Sequence, residues 1–137
     1  MKLSEILSIS GKPGLFTIVS QTNNGLIAQS VIDQKRIPVF ASHEVSILED
    51  ISLYTEEDTI PMSEVMQRLY EHEGGKQSTD HKASKPELEA KMEAVFPEYD
   101  RDRVYHSDLK KLFRWYNLII SYNLWSPSDL DDAGEEE

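Results

Sequence analysis

Residues 11–55 read GKPGLFTIVSQTNNGLIAQSVIDQKRIPVFASHEVSILEDISLYT and hold most of the strand-forming pattern of this 137-residue chain. Two runs rich in β-branched residues, Leu15–Thr22 and Leu26–Ile32, flank the dipeptide Asn24-Gly25. Asn and Gly tolerate the positive φ of a type I′ turn, so this arrangement predicts a β-hairpin. A second tight turn at Asp33-Gln34 adds a third strand and completes a predicted meander.

The register expected from these two turns sorts the side chains into two faces. It places Val19 opposite Ser30 and Ala28 opposite Val39. The face expected to form the core is almost wholly apolar and consists of Leu15, Val19, Leu26, Ala28, Ile37 and Val39. The opposite face consists of Phe16, Ile18, Ile27, Val31, Arg36 and Phe40. Because this second face is too apolar for open solvent, we expect either the rest of the chain or a partner to cover it.

Three shorter segments complete the predicted β-unit. Met1–Ser10 has apolar residues at helical spacing and is expected to form a short amphipathic helix. Ser42–Leu48 is expected to form a single helical turn, and Ile51–Tyr54 a further short strand. Short strands joined by tight turns are typical of a small antiparallel SH3-like barrel.

The second half of the chain has the apolar spacing of helices. Helices are predicted over Thr59–His72, from Ser84 to Phe96, and from a cap at Ser107 to about Tyr122. Ser84 is followed three residues later by Glu87, which matches a capping box. We therefore predict an α+β fold, in which a small antiparallel SH3-like β-barrel is followed by a compact helical part of about three helices.

The predicted organisation has three parts. Residues 1–58 form the SH3-like barrel with its short N-terminal helix, and residues 59–125 form a helical domain with a polar loop at 74–84. Residues 126–137, SPSDLDDAGEEE, contain six acidic residues and no basic one. Such a composition predicts an acidic disordered tail.

The composition limits the classes of function that fit the chain. Its formal net charge is −11, and an acidic chain is repelled by phosphates, so nucleic-acid binding would require a local basic patch. No run approaches the ~18 apolar residues that a membrane-spanning helix needs. The N-terminus lacks the pattern of a signal peptide, and the chain has no Cys. We expect an acidic cytoplasmic protein that does not bind a membrane.

The sequence contains no pattern that predicts catalysis, a metal site or a cofactor. The turn that begins at Asp100 resembles the start of a calcium loop, but Tyr105 stands at the position that needs Gly and Lys111 at the last ligand position. We instead expect the acidic residues of this turn to pair with Arg101 and Arg103. The four His residues are not spaced as a shared ligand set.

A second motif, the loop Gly11–Gly14 with the sequence GKPG, resembles a phosphate-binding loop only superficially. Its Pro13 removes one of the backbone N–H donors that a phosphate-binding loop would use, so we interpret the loop as a turn. We therefore expect no enzymatic activity, no cofactor, no metal and no small-molecule substrate.

Aromatic and basic residues supply the candidate interaction site. On the predicted sheet, Lys35 and Arg36 precede Phe40, and Phe16 is expected on the same face as Arg36. Small barrels bind peptides or nucleic acids through such faces. On the last helix, Trp115 lies beside the apolar stripe. A second small basic-aromatic cluster combines Trp115 with Lys110, Lys111 and Arg114. We expect these three basic residues to form the solvated face of the helix.

The run over residues 11–55 and the later run VFPEYDRDRVYHSDLKKLFRWYNLI, residues 95–119, resemble a family of short bacteroidete proteins that carry paired domains of unknown function. The resemblance covers about Leu3 to Trp125. It implies a small SH3-like barrel followed by a compact helical part. It implies no activity, and no functional residue is carried over from it.

These observations favour a non-enzymatic binding or scaffolding protein that contacts a protein partner through the barrel and its exposed aromatic residues. The candidate residues are Phe16, Lys35, Arg36, Phe40 and Trp115. The alternative is nucleic-acid or ribosome-associated binding by the barrel. That alternative gains support if Lys12, Lys35, Arg36 and a basic group on a helix lie together on one face.

Overall fold

The computed structural model describes residues 1–40 and 42–127. It confirms the predicted α+β architecture, with a five-stranded antiparallel sheet, a two-stranded sheet and three α-helices. The strands are β1 (Ile6–Ile9), β2 (Phe16–Thr22), β3 (Gly25–Ser30), β4 (Arg36–Phe40), β5 (Val45–Ile47), β6 (Ser52–Tyr54) and β7 (Thr59–Pro61). The helices are α1 (Met62–His72), α2 (Lys85–Val95) and α3 (His106–Ser121).

The N-terminal segment contains a strand, so the predicted helix over Met1–Ser10 is wrong. β1 pairs with β2 on one side and with β5 on the other, which gives the strand order β4-β3-β2-β1-β5. Ile6 is buried in a core shared with the helices, whereas Leu7 and Ile9 are buried in a smaller core of the sheet itself. A strand that is buried on both faces reads as a short apolar run, which periodicity cannot distinguish from a helical turn.

The hairpin of β2 and β3 forms with a different register from the expected one. Thr22 pairs with Gly25, so the turn is Asn23-Asn24 instead of Asn24-Gly25. The register shifts again between Ile18 and Ser20, where a β-bulge interrupts the ladder. Such a bulge adds an unpaired residue to one strand and cannot be read from the turn sequence alone.

This register reverses the predicted faces of β2. Phe16 lies opposite Ser30, where Val19 was expected, and a shift by an odd number of residues moves side chains to the other face. Phe16 and Ile18 therefore pack into the core of the sheet, while Val19 is 38% exposed and Leu15 belongs to the core shared with the helices. The predicted placement of the β3 and β4 residues in the sheet core is confirmed for Leu26, Ala28, Ile37 and Val39.

Three segments after β4 also form strands. The helical turn predicted over Ser42–Leu48 is wrong, because β5 pairs with β1 and a 3₁₀ turn begins only at Leu48. The predicted strand near Tyr54 is confirmed as β6, but it pairs with β7 in a separate sheet. The residues of β7 were expected to begin a helix, which instead begins at Met62.

The three predicted helices are present, with one change at a cap. Ser84 caps α2 as expected, since its hydroxyl accepts a hydrogen bond from the Glu87 N–H at 3.4 Å. Ser107 is not the cap of α3, so that prediction is wrong. The N-cap is Tyr105, whose backbone N–H donates to the Asp108 carboxylate at 2.9 Å. An acidic residue at the third helical position satisfies this otherwise free donor.

The larger hydrophobic core joins both halves of the chain. It contains residues of the sheet and of all three helices, among them Ile6, Leu15, Met66, Met92 and Phe113. Trp125 is also buried there. The division into 1–58 and 59–125 stays a prediction. Most of the acidic tail predicted for 126–137 lies outside the described residues, which end at Pro127.

Candidate functional site

The outward face of β3 and β4 carries the first candidate surface. Phe40 lies opposite Gly25, and Pro38 lies opposite Ile27. Because Gly25 has no side chain, it leaves the neighbouring aromatic ring uncovered, and Phe40 is 48% exposed. The ring stacks on His43 with centroids 5.9 Å apart, and the Phe40 N–H donates to His43 Nδ1 at 2.9 Å. His43 therefore packs against an aromatic ring that stays exposed to solvent.

Arg36, one of the two basic residues predicted near Phe40, lies on this face of β4. Arg36 is exposed, and its Nε donates to Gln29 Oε1 at 3.3 Å, across the ladder on the same face. Lys35 is also exposed at the start of the strand. We define the Phe40 patch as Ile27, Arg36, Pro38 and Phe40. Phe16 is excluded from any such surface because only 5% of it is exposed, on the opposite face of the sheet.

The helices cover this face of the sheet at one end only. Ile6 lies opposite Thr17, on the same face as the Phe40 patch, and is buried in the core shared with the helices. At the other end, Pro38 and Phe40 of edge strand β4 stay exposed. Coverage of this face by the chain itself is therefore partial, and the uncovered part is the Phe40 patch.

Trp115 marks the second candidate surface, a groove between the strands and α3. The side chain is partly buried against the larger core and lines two neighbouring cavities of about 290 Å³ and 380 Å³. Ser46 and Lys111 also line both cavities, so the two adjoin. We call the pair the Trp115 groove. Its first cavity is mainly apolar and is lined by residues that include Ile51, Leu53, Met62, Val104 and Leu112.

Three basic residues line the second cavity of the Trp115 groove. The Gly11–Gly14 loop brings Lys12 to Lys111 and Arg114 of α3, and Glu44 is the acidic residue of this lining. The sequence singled out the loop and the helical cluster separately, and only the tertiary fold brings them together. The distance of about a hundred residues between the two segments left no local signal of this arrangement.

Ion pairs elsewhere show how other basic residues are neutralised. In the turn after α2, Arg103 pairs with Asp100 at 2.8 Å, as expected, whereas Arg101 pairs with Glu93. Within residues 1–40 and 42–127, the three basic residues of the second cavity form no such pair. Burial lowers the pKa of His81, and the positive charge of the nearby Arg114 guanidinium lowers this pKa further.

The described part of the chain holds no group of three or more His, Cys, Asp or Glu residues placed to bind a metal ion. Among the helices of that part, none is long and apolar enough to cross a bilayer.

Together, the SH3-like antiparallel sheet, the three following helices and the groove between them define a small α+β protein of two connected parts. Two family models match the chain, and both are described as domains of unknown function. DUF5606 matches residues 3–48, which hold the five-stranded sheet, and DUF6852 matches residues 51–119, which hold the two-stranded sheet, α1, α2 and most of α3. The chain belongs to this family of unknown function, which confirms the predicted resemblance.

A solved relative supports the same assignment. The chain is similar to a solution NMR structure of a structural genomics target from Bacteroides vulgatus, with 41% sequence identity and a TM-score of 0.74. The match covers 91% of this chain and 90% of that one, so both parts of the fold are shared. A comparison with curated proteins gives no match.

Proposed function

We propose that the protein is a non-enzymatic cytoplasmic binding protein that contacts a protein partner through the Phe40 patch. The observation that carries this proposal is the exposure of nearly half of Phe40 on an edge strand. Aromatic and arginine side chains are enriched at protein interfaces, where a few of them supply most of the binding energy. Phe40 and Arg36 lie on one face of β4 and provide both types.

The geometry of β4 favours contact through side chains over addition of a partner strand. Pro38 in the middle of this strand has no N–H and interrupts the row of donors that an added strand would need. The ring of Phe40 stacks on His43, which reduces the side-chain entropy that is lost when a partner covers the ring. An acidic, apolar surface is the matching chemistry, because Arg36 lies on the same face of β4 as the ring.

A pull-down comparison tests the proposal. Phe40→Ala removes the exposed ring, and Tyr105→Ala is the matched control, since Tyr105 is 66% exposed but lies in the turn before α3. We expect the wild-type protein and Tyr105→Ala to recover the same partner in similar amounts. Phe40→Ala should recover about tenfold less of it, or less still. Circular dichroism confirms that both variants are folded. An identical partner list for all three proteins would reject the Phe40 patch as the contact surface.

Nucleic-acid binding stays a second prediction. The basic residues named for this alternative fall into two groups, since Lys35 and Arg36 lie at the start of β4 whereas Lys12 lines the Trp115 groove with Lys111 and Arg114. This division separates the residues Lys12, Lys35, Arg36 and a basic group on a helix, which would support nucleic-acid binding if they lay together on one face. Titration with RNA and DNA oligonucleotides at several salt concentrations tests it, because phosphate contacts weaken steeply with salt. Absence of salt-sensitive binding at low ionic strength would reject it.

A further inference from the structure

The Trp115 groove changes character along its length. Its first cavity is walled mainly by apolar side chains, with Trp115 at the junction. The second cavity is lined by three basic residues, by Glu44 and by Ser8, Ser10 and Ser46. Each cavity, at about 290 Å³ and 380 Å³, is of the size that holds a small molecule. The groove therefore offers an apolar compartment next to a cationic one.

The charge of the second cavity stands out in a chain whose net charge is −11. Lys12, Lys111 and Arg114 face one carboxylate, that of Glu44, so the lining carries an excess of positive charge. In the part of the chain that the structure describes, none of these three basic residues is engaged in an ion pair. Because three positive charges share this lining with one carboxylate, repulsion among them is only partly offset, and a bound anion would relieve it.

We propose that the Trp115 groove binds a small amphipathic organic anion. Its carboxylate or phosphate lies between Lys12, Lys111 and Arg114, where ammonium, guanidinium and serine hydroxyl groups donate hydrogen bonds. Its apolar portion extends past the indole of Trp115 into the cavity beside Leu53. This site is separate from the Phe40 patch and does not depend on the protein-partner proposal.

The fluorescent anion 1-anilinonaphthalene-8-sulfonate is a direct test, because it combines a sulfonate with an apolar ring system. Its uncharged analogue N-phenyl-1-naphthylamine lacks only the anionic group. We expect a saturable fluorescence increase with the sulfonate at one site per chain, and weaker binding of the neutral analogue by about tenfold or more. Raising the salt concentration should weaken binding of the sulfonate more than that of the neutral compound.

Three charge variants of α3 locate the site. Lys111→Met and Arg114→Gln each remove a lining charge and should weaken sulfonate binding about tenfold. Lys110→Met is the matched control, since Lys110 is exposed on the same helix outside the lining of both cavities, and its affinity should equal that of the wild type. Equal affinities for the wild type, Lys111→Met and Arg114→Gln would overturn the proposal.

Competition experiments define the ligand class. Octanoate should displace the sulfonate at concentrations at least about tenfold lower than acetate, because only octanoate reaches the apolar cavity. Equal potency of the two would overturn the amphipathic assignment. Displacement by an oligonucleotide but not by octanoate would overturn the small-molecule assignment in favour of nucleic acid. Phe40→Ala should leave sulfonate binding unchanged, and a loss in that variant would place the anion on the Phe40 patch and overturn the proposal.

Discussion

Ile6→Ala tests whether the sheet and the helices unfold as one unit. Ile6 is fully buried on β1 and packs in the core shared with the helices. The substitution removes three carbon atoms, which costs about 2.4 kcal/mol at ~0.8 kcal/mol for each buried methylene. The cavity left behind raises the expected loss of unfolding free energy to about 3–4 kcal/mol. For a chain of this size, this corresponds to a decrease in melting temperature of roughly 10 °C.

The two tryptophans make the measurement informative. Trp115 and Trp125 both lie in the helical half, so their fluorescence reports on a region distant in sequence from the substitution. Urea unfolding is followed by tryptophan fluorescence and by far-ultraviolet circular dichroism on the same samples. Because the core is shared, we expect fluorescence and circular dichroism to report the same decrease in unfolding free energy, about 3–4 kcal/mol. Val19→Ala is the control, and it should cost less than about 1 kcal/mol because Val19 is 38% exposed.

Two results would refute this reasoning. If the fluorescence transition stays at its wild-type midpoint while the dichroism transition splits, residues 1–58 and 59–125 unfold independently, as the sequence-based division allows. If Ile6→Ala costs no more than Val19→Ala, the side chain of Ile6 does not lie in the shared core.

Three further predictions address individual contacts. Gly25→Ala should lower the unfolding free energy by about 2 kcal/mol or more in urea titration, because an added Cβ would lie 1.9 Å from the Val39 carbonyl oxygen; a neutral effect would contradict this close approach of β3 and β4. Burial raises the pKa of Glu73, but hydrogen bonds from Ser78 and Lys91 outweigh burial and hold the pKa below its usual value. The ionised Glu73 carboxylate therefore stabilises the folded state above the unfolded-state pKa, and this stabilisation is lost as the pH falls through the folded-state pKa. Glu73→Gln should flatten the decrease in melting temperature between about pH 5 and pH 3, and an unchanged slope would argue against this contribution. Burial raises the pKa of Tyr116 to about 12, and its hydroxyl donates to the Lys76 carbonyl at 2.7 Å. Tyr116→Phe should cost about 1 kcal/mol and remove the last phenol to ionise in an ultraviolet pH titration; loss of an earlier phenol instead would contradict the assignment.

The candidate surfaces were only partly predictable from the sequence. Arg36 and Phe40 share a face as expected, because alternation along β4 depends only on the period of a strand. Phe16 was placed on that face wrongly, since the β-bulge in β2 changes the register of the hairpin. The Trp115 groove could not be predicted, because it requires Lys12 of a loop to meet Arg114 of α3 across the fold.

The sequence by itself determined the α+β class, the existence of the meander, the three helices and the cap at Ser84. These features depend on local periodicity, turn residues and capping, which act within a few residues of one another. The tertiary structure decided that β1 and β5 are strands, because neither has a local pattern long enough to specify a strand without its pairing partner. It also decided which apolar residues enter the shared core and which basic residues meet in the groove. Burial and charge proximity arise only when segments distant in the chain pack together.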